Sequence, residues 1–120
     1  MLSSSQSAVY RKLTIGDDAY LAAVLAGDDR ACDALDDRTS SLVRLAAVIA
    51  LDGDTPALGR EVREATAAGA SVEQVTATLL AIARIIGSAI VMSAAPKLSM
   101  ALGYDVDAGL EDHDTREPDG

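Results

Sequence analysis

The chain contains no phenylalanine and no tryptophan, and its only aromatic side chains are Tyr10, Tyr20 and Tyr104. Its core must therefore be built from Ala, Val, Leu and Ile, small aliphatics that suit closely approaching helices and serve a β-sheet poorly. Cys32 is the only cysteine, which excludes an intrachain disulfide and a metal site made of cysteines alone. Basic residues are few: 10 Lys and Arg stand against 19 Asp and Glu, a net charge of −9 with no basic cluster. That balance argues against nucleic acid, whose phosphates need neutralising cations, and against an anionic membrane surface. The N-terminal stretch MLSSSQSAVYRKL has no apolar signal core. The apolar run Leu79 to Val91 holds Arg84, Gly87 and Ser88 and is too short to span a bilayer. A soluble, cytoplasmic protein is expected. His113 lies in a polar tail without the Cys or carboxylate spacing of a metal site, and no nucleotide-binding glycine pattern is present, so neither metal nor cofactor is expected.

What the chain does have is the stretch Ser71 to Gly103, in which only Glu73, Arg84 and Lys97 carry charge. It reads as two helices broken at Gly87-Ser88. A helix apolar nearly all round must be buried nearly all round. A chain of 120 residues has little core in which to surround two of them. The surplus apolar surface most simply meets a copy of the same chain, which makes a homo-oligomer the expected state.

The rest divides at punctuation residues. Residues 1–16 read as an N-terminal segment, loose at its Ser-rich start. A single helical domain is expected over 17–110, and 111–120, which has no apolar residue, as a disordered acidic tail. Asp17-Asp18 opens a helix over Ala19 to Leu25, and an acidic connector holding Cys32 follows. Asp36 is the expected N-cap of a helix to about Leu51 with Leu42, Leu45 and Ile49 on one face. Thr55-Pro56 reads as N-cap and first position of a helix to Ala68, with Leu58, Val62 and Ala65 as its stripe. Gly69 sits where a C′ glycine belongs. Ser71-x-x-Gln74 is a capping box opening the next helix, and Val75, Leu79, Ile82 and Ile86 mark its main face. Pro96 should kink or divide the last helix, and Tyr104 to Leu110 reads as a short packed tail.

Three pieces of this pattern carry a family resemblance: Leu35-Asp36-Asp37-Arg38-Thr39 followed by Leu42-Val43-x-Leu45-Ala46; Val62-Arg63-Glu64-Ala65-x-x-Ala68-Gly69-Ala70-Ser71-x-Glu73-Gln74-Val75; and the apolar helix reaching Gly87 with a small-residue helix after it. From Leu35 to about Leu102 the chain resembles the carboxymuconolactone decarboxylase family, which includes the alkylhydroperoxidase-D-like proteins. The resemblance implies an all-α, antiparallel bundle of about five helices, assembled as a trimer or hexamer. Peroxidase members carry C-x-x-C-x-x-x-H at the start of their third helix. Aligned on the Ala68-Gly69-Ala70 turn, this chain has Asp54 and Ala57 at the two cysteines and Glu61 at the histidine. Thiol peroxidase chemistry needs one sulfur to attack and a second to resolve, so that activity is not expected. The decarboxylating members' Glu and His are likewise replaced, here by Ala57 and Glu61.

Three residues remain as site candidates. Arg84 sits mid-helix among Ile82, Ala83, Ile85 and Ile86, where a buried guanidinium needs a carboxylate. It is read as pairing across a subunit interface with Glu61, Glu64 or an Asp. The alternative is that it grips a small carboxylated ligand through both arms of its fork. Arg44 either faces solvent or joins Arg84 in an anion site. Glu61 reads as a solvated or ion-paired helix residue, and in the sharper reading as a general acid or base. Cys32, among Asp28, Asp29 and Asp33, is disfavoured as a thiolate. Met92 and Met100 are expected as core filler. Two functions follow: a homo-oligomer without the redox centre, acting as a structural or small-ligand-binding module, or an enzyme of the decarboxylase or lactone-processing type using Glu61 with Arg84 or Arg44 on a small carboxylated substrate.

Overall fold

A computed structural model describes residues 1–28 and 33–104, and among these the chain forms five helices and no strand. Cys32, the segment 105–110 and the tail 111–120 with His113 lie outside the described residues. The described chain falls into two compact units, Met1–Ala34 and the part from Leu35 on. The division thus comes at residue 34 and not at residue 16, where the domain was expected to begin.

The first unit holds α1 (Ser4–Ile15) and α2 (Asp18–Leu25). The helix α1 corrects the expectation of a loose N-terminus. Its Ser-rich start is a cap: Ser3 Oγ accepts the Gln6 N–H at 3.2 Å, and Gln6 Oε1 accepts the Ser3 N–H at 3.1 Å. This reciprocal pair satisfies two of the donors a helix start leaves open. Asp17 caps α2 by accepting the Tyr20 N–H at 2.9 Å, and the Lys12 ammonium lies 5.0 Å from the centre of the Tyr20 ring. Neither helix contains a buried residue.

The second unit holds α3 (Asp37–Ala50), α4 (Thr55–Ala67) and α5 (Val72–Ala101), each packed against the other two. Its core is Leu45 and Ile49 of α3, Leu58, Val62 and Ala65 of α4, and Val75, Leu79, Ala94 and Leu98 of α5, with Ala70 from the turn between α4 and α5. The spacings of three and four residues are those that place side chains on one helix face, as the sequence pattern indicates. Asp36 caps α3 through the Thr39 N–H at 2.7 Å. The cap of α4 is Asp54 and not Thr55: Asp54 Oδ1 accepts the Ala57 N–H at 2.9 Å, and Thr55 is already helical. Asp is the stronger N-cap of the two. The Ser71–Gln74 capping box forms as expected, and Gly69 takes the left-handed φ of +99° that a C′ position requires.

Gly87 organises α5. It has φ 83° and ψ 166°, a region essentially reserved for glycine, and it interrupts the thirty-residue helix. Val75, Thr76 and Leu79 before it share one cavity, of about 200 Å³, with Ala95, Leu98, Ser99 and Leu102 after it. In a straight helix Val75 and Leu102 would stand about 40 Å apart, so the two arms fold back on each other at Gly87. The expected break between two helices is therefore real, but it uses a single residue and no loop. The expected division at Pro96 does not occur: Gly87 is the only residue of α5 with non-helical angles. The turns on either side of Pro96 are held from outside. Ser93 Oγ donates to Asp52 Oδ1 at 2.8 Å, and Lys97 Nζ donates to the Gly53 carbonyl at 3.1 Å, both in the connection between α3 and α4.

Candidate functional site

Glu61 projects from α4 between the positions of its buried stripe, one turn after Leu58 and one turn before Ala65. That register, and not its charged neighbours Arg60, Arg63 and Glu64, decides its setting. The side chain is only 12% exposed, which corrects the reading of a solvated face. Arg60 Nε lies 4.0 Å from Oε1, a loose contact from a side chain 63% exposed. Oε2 is buried and accepts no hydrogen bond from the described residues. A buried acceptor with no donor costs about 1–3 kcal/mol, and more when charged, so among the described residues this oxygen is an unmet demand.

Arg84 has the opposite setting. It lies exposed, with no hydrogen bond or ion pair among the described residues. Around it the first arm and the bend carry Leu80 at 66% exposure and Ile85 at 81%, and Met92 follows on the second arm at 73%. Met92 and Met100 are thus surface residues of the single chain, not core filler. Of the most apolar window of α5, only 11% is buried. By length and composition α5 is also long enough to cross a membrane, contrary to the estimate from the run Leu79 to Val91 alone.

Arg44 is exposed on α3 and donates from Nη2 to Ser41 Oγ at 3.1 Å, giving the buried Ser41 hydroxyl a partner. No hydrogen bond or ion pair among the described residues joins Glu61 to Arg44 or to Arg84. The described residues contain no group of three or more His, Cys, Asp or Glu placed to hold a metal.

One polar cluster escaped the sequence reading. Asp52, Gly53, Ser93 and Lys97 form a clasp in which Lys97 Nζ also lies 3.7 Å from Asp52 Oδ1 and donates to Ser93 Oγ at 3.2 Å. Its signal was available in part, since Ser93 and Lys97 stand four apart, on one helix face. Their partners are more than forty residues away, a separation that no local pattern encodes. With the ammonium surrounded by a carboxylate, a carbonyl and a hydroxyl, the clasp is a structural tie between α5 and the turn before α4. Compared with known proteins, this chain matches no family model, no curated protein and no solved structure.

Proposed function

We propose that the chain is a carboxymuconolactone-decarboxylase-like helical homo-oligomer without redox cysteines, a soluble cytoplasmic protein that serves as a structural or small-ligand-binding module. The observation that carries this reading is the exposure of Leu80, Ile85 and Met92 around the bend of α5. Large apolar side chains this exposed, when they cluster, mark an interaction site in a folded protein. A second copy is favoured over a bilayer as its cover. Each arm of the folded-back α5, about 15 residues, rises about 22 Å and falls short of a hydrocarbon core of about 30 Å. The bend at Gly87 would leave backbone groups unsatisfied in lipid. Light scattering at micromolar concentration should give a closed oligomer, a trimer or hexamer by the resemblance. Ile85→Lys and Met92→Lys should shift it toward monomer while keeping helical circular dichroism. A monomeric wild-type protein would end the reading, and partition of the wild type into vesicles would replace it with a membrane one.

The second reading is an enzyme in which Glu61 works with Arg84 or Arg44 on a small carboxylated substrate. The buried Oε2 of Glu61 without a donor supports it, because acid–base groups in dry settings recur at active sites. A melting temperature that rises with small carboxylic acids in the wild type and not in Arg84→Ala would favour this reading.

A further inference from the structure

The chain carries two complementary unmet groups. Glu61 has a buried carboxylate oxygen with no donor. Arg84 has a guanidinium with no acceptor among the described residues, and it stands one turn after the exposed Leu80 and next to the exposed Ile85 in sequence. We propose that each satisfies the other across the interface between two copies, Arg84 of one chain donating to Glu61 of the next. This rests on the homo-oligomer reading above and adds to it the pair that sets the register of the contact.

Charge and burial select the partners. When a second copy covers the surface around Arg84, the guanidinium loses its water and requires a carboxylate, since an isolated buried charge costs several kcal/mol. Glu64 and the Asp residues at the starts of α3 and α4 are exposed, and water already serves them. Glu61 alone among the described residues holds a buried side-chain oxygen without a hydrogen bond, so pairing there meets an existing deficit. Its remaining 12% exposure gives access from outside. Rotation about the last side-chain bond exchanges the two oxygens. Arg60 at 4.0 Å leaves the carboxylate unclamped, whereas the planar fork of an arginine matches both its oxygens. Arg44 is the weaker donor, because it already bonds Ser41. In a two-fold contact the pair occurs twice by symmetry, and in a ring it occurs once per junction. In either case the site is incomplete in one chain.

The test combines a charge exchange with a cross-link. Glu61→Lys and Arg84→Glu should each weaken self-association at least about tenfold, as close charge pairs at interfaces do. The double variant should recover most of that loss. Folded single variants that associate like the wild type, or a folded double variant no better than the worse single one, would overturn the pairing. Should Glu61→Lys fail to fold by circular dichroism, Arg84→Lys decides. It keeps the charge and supplies an amine, and a carbodiimide should join that amine to Glu61. Mixed isotopically light and heavy chains should yield cross-linked peptides of one light and one heavy partner, absent from the wild type. Links confined to single chains, or an intact oligomer with no link between these positions, would refute the proposal. A monomeric wild type would instead remove the homo-oligomer on which the pairing stands, a result that light scattering reports separately.

Discussion

Single residues set three tight constraints. Gly53 closes the connection between α3 and α4, and a Cβ there would stand 2.5 Å from Val48 Cγ1 and 3.1 Å from the Val48 carbonyl oxygen. The carbonyl belongs to the end of α3 and cannot swing away as a side chain can. Gly53→Ala should therefore cost about 1–3 kcal/mol, the usual range for overpacking, read as a lower urea midpoint with an unchanged slope. At the start of α3, hydrogen bonding from Thr39 holds the Asp36 carboxyl below its ordinary value of 3.8, with Arg38 adding a favourable charge. A carboxyl with a lower pKa folded than unfolded stabilises the fold above the unfolded value, and that stability is lost as pH falls through the folded one. Thermal melts should show this increment fading below about pH 4 in the wild type and missing in Asp36→Ala. Glu61 illustrates what local pattern does not reveal. Its neighbours Arg60, Arg63 and Glu64 made it look solvated, yet helical register put it beside the core stripe. Composition describes a neighbourhood along the chain, whereas burial is decided by the angle around the helix.

At the scale of elements, caps and stripes were the legible part. Asp36, Ser71 with Gln74, Gly69 and the buried positions of α3, α4 and α5 all follow from short-range rules, because the hydrogen bonds and faces concerned lie within four residues. The helix α1 was missed although its capping box, Ser3 with Gln6, is of the same kind. A serine run suggests looseness only until one serine is seen to have a partner three residues on. Pro96 failed as a breaker because its flanking turns are tied to Asp52 and Gly53. The fold-back at Gly87 has the largest leverage of any element. Gly87→Ala adds a methyl group into open space, so its effect isolates backbone strain. The expected loss is about 1–3 kcal/mol, measured by calorimetry, and it should exceed that of Gly59→Ala in the body of α4, where helix propensity favours alanine.

For the whole molecule, the core of the described residues lies in one of the two units. Every buried apolar residue among them falls between Leu45 and Leu98, and α1 and α2 contribute none. A chain beginning at Leu35 should keep the melting transition of α3, α4 and α5 within a few degrees and lose only the helical signal of α1 and α2. A collapse of the transition would show that the first unit supports the second. The self-association proposed above draws on the exposure of Leu80, Ile85 and Met92, and the pair proposed to set its register needs two chains.

A bend held by one pair of backbone angles has a further consequence for assembly. If Gly87 turns to ordinary helical angles, α5 becomes a straight rod about 45 Å long, and its second arm leaves its own first arm behind. The second arm's contacts then exist only on another chain that has opened in the same way, and two such chains complete each other by exchanging arms. Refolding from urea at high concentration should therefore trap an arm-exchanged dimer that survives dilution for hours. Gly87→Ala, which favours the straight form, should increase its share on size-exclusion chromatography.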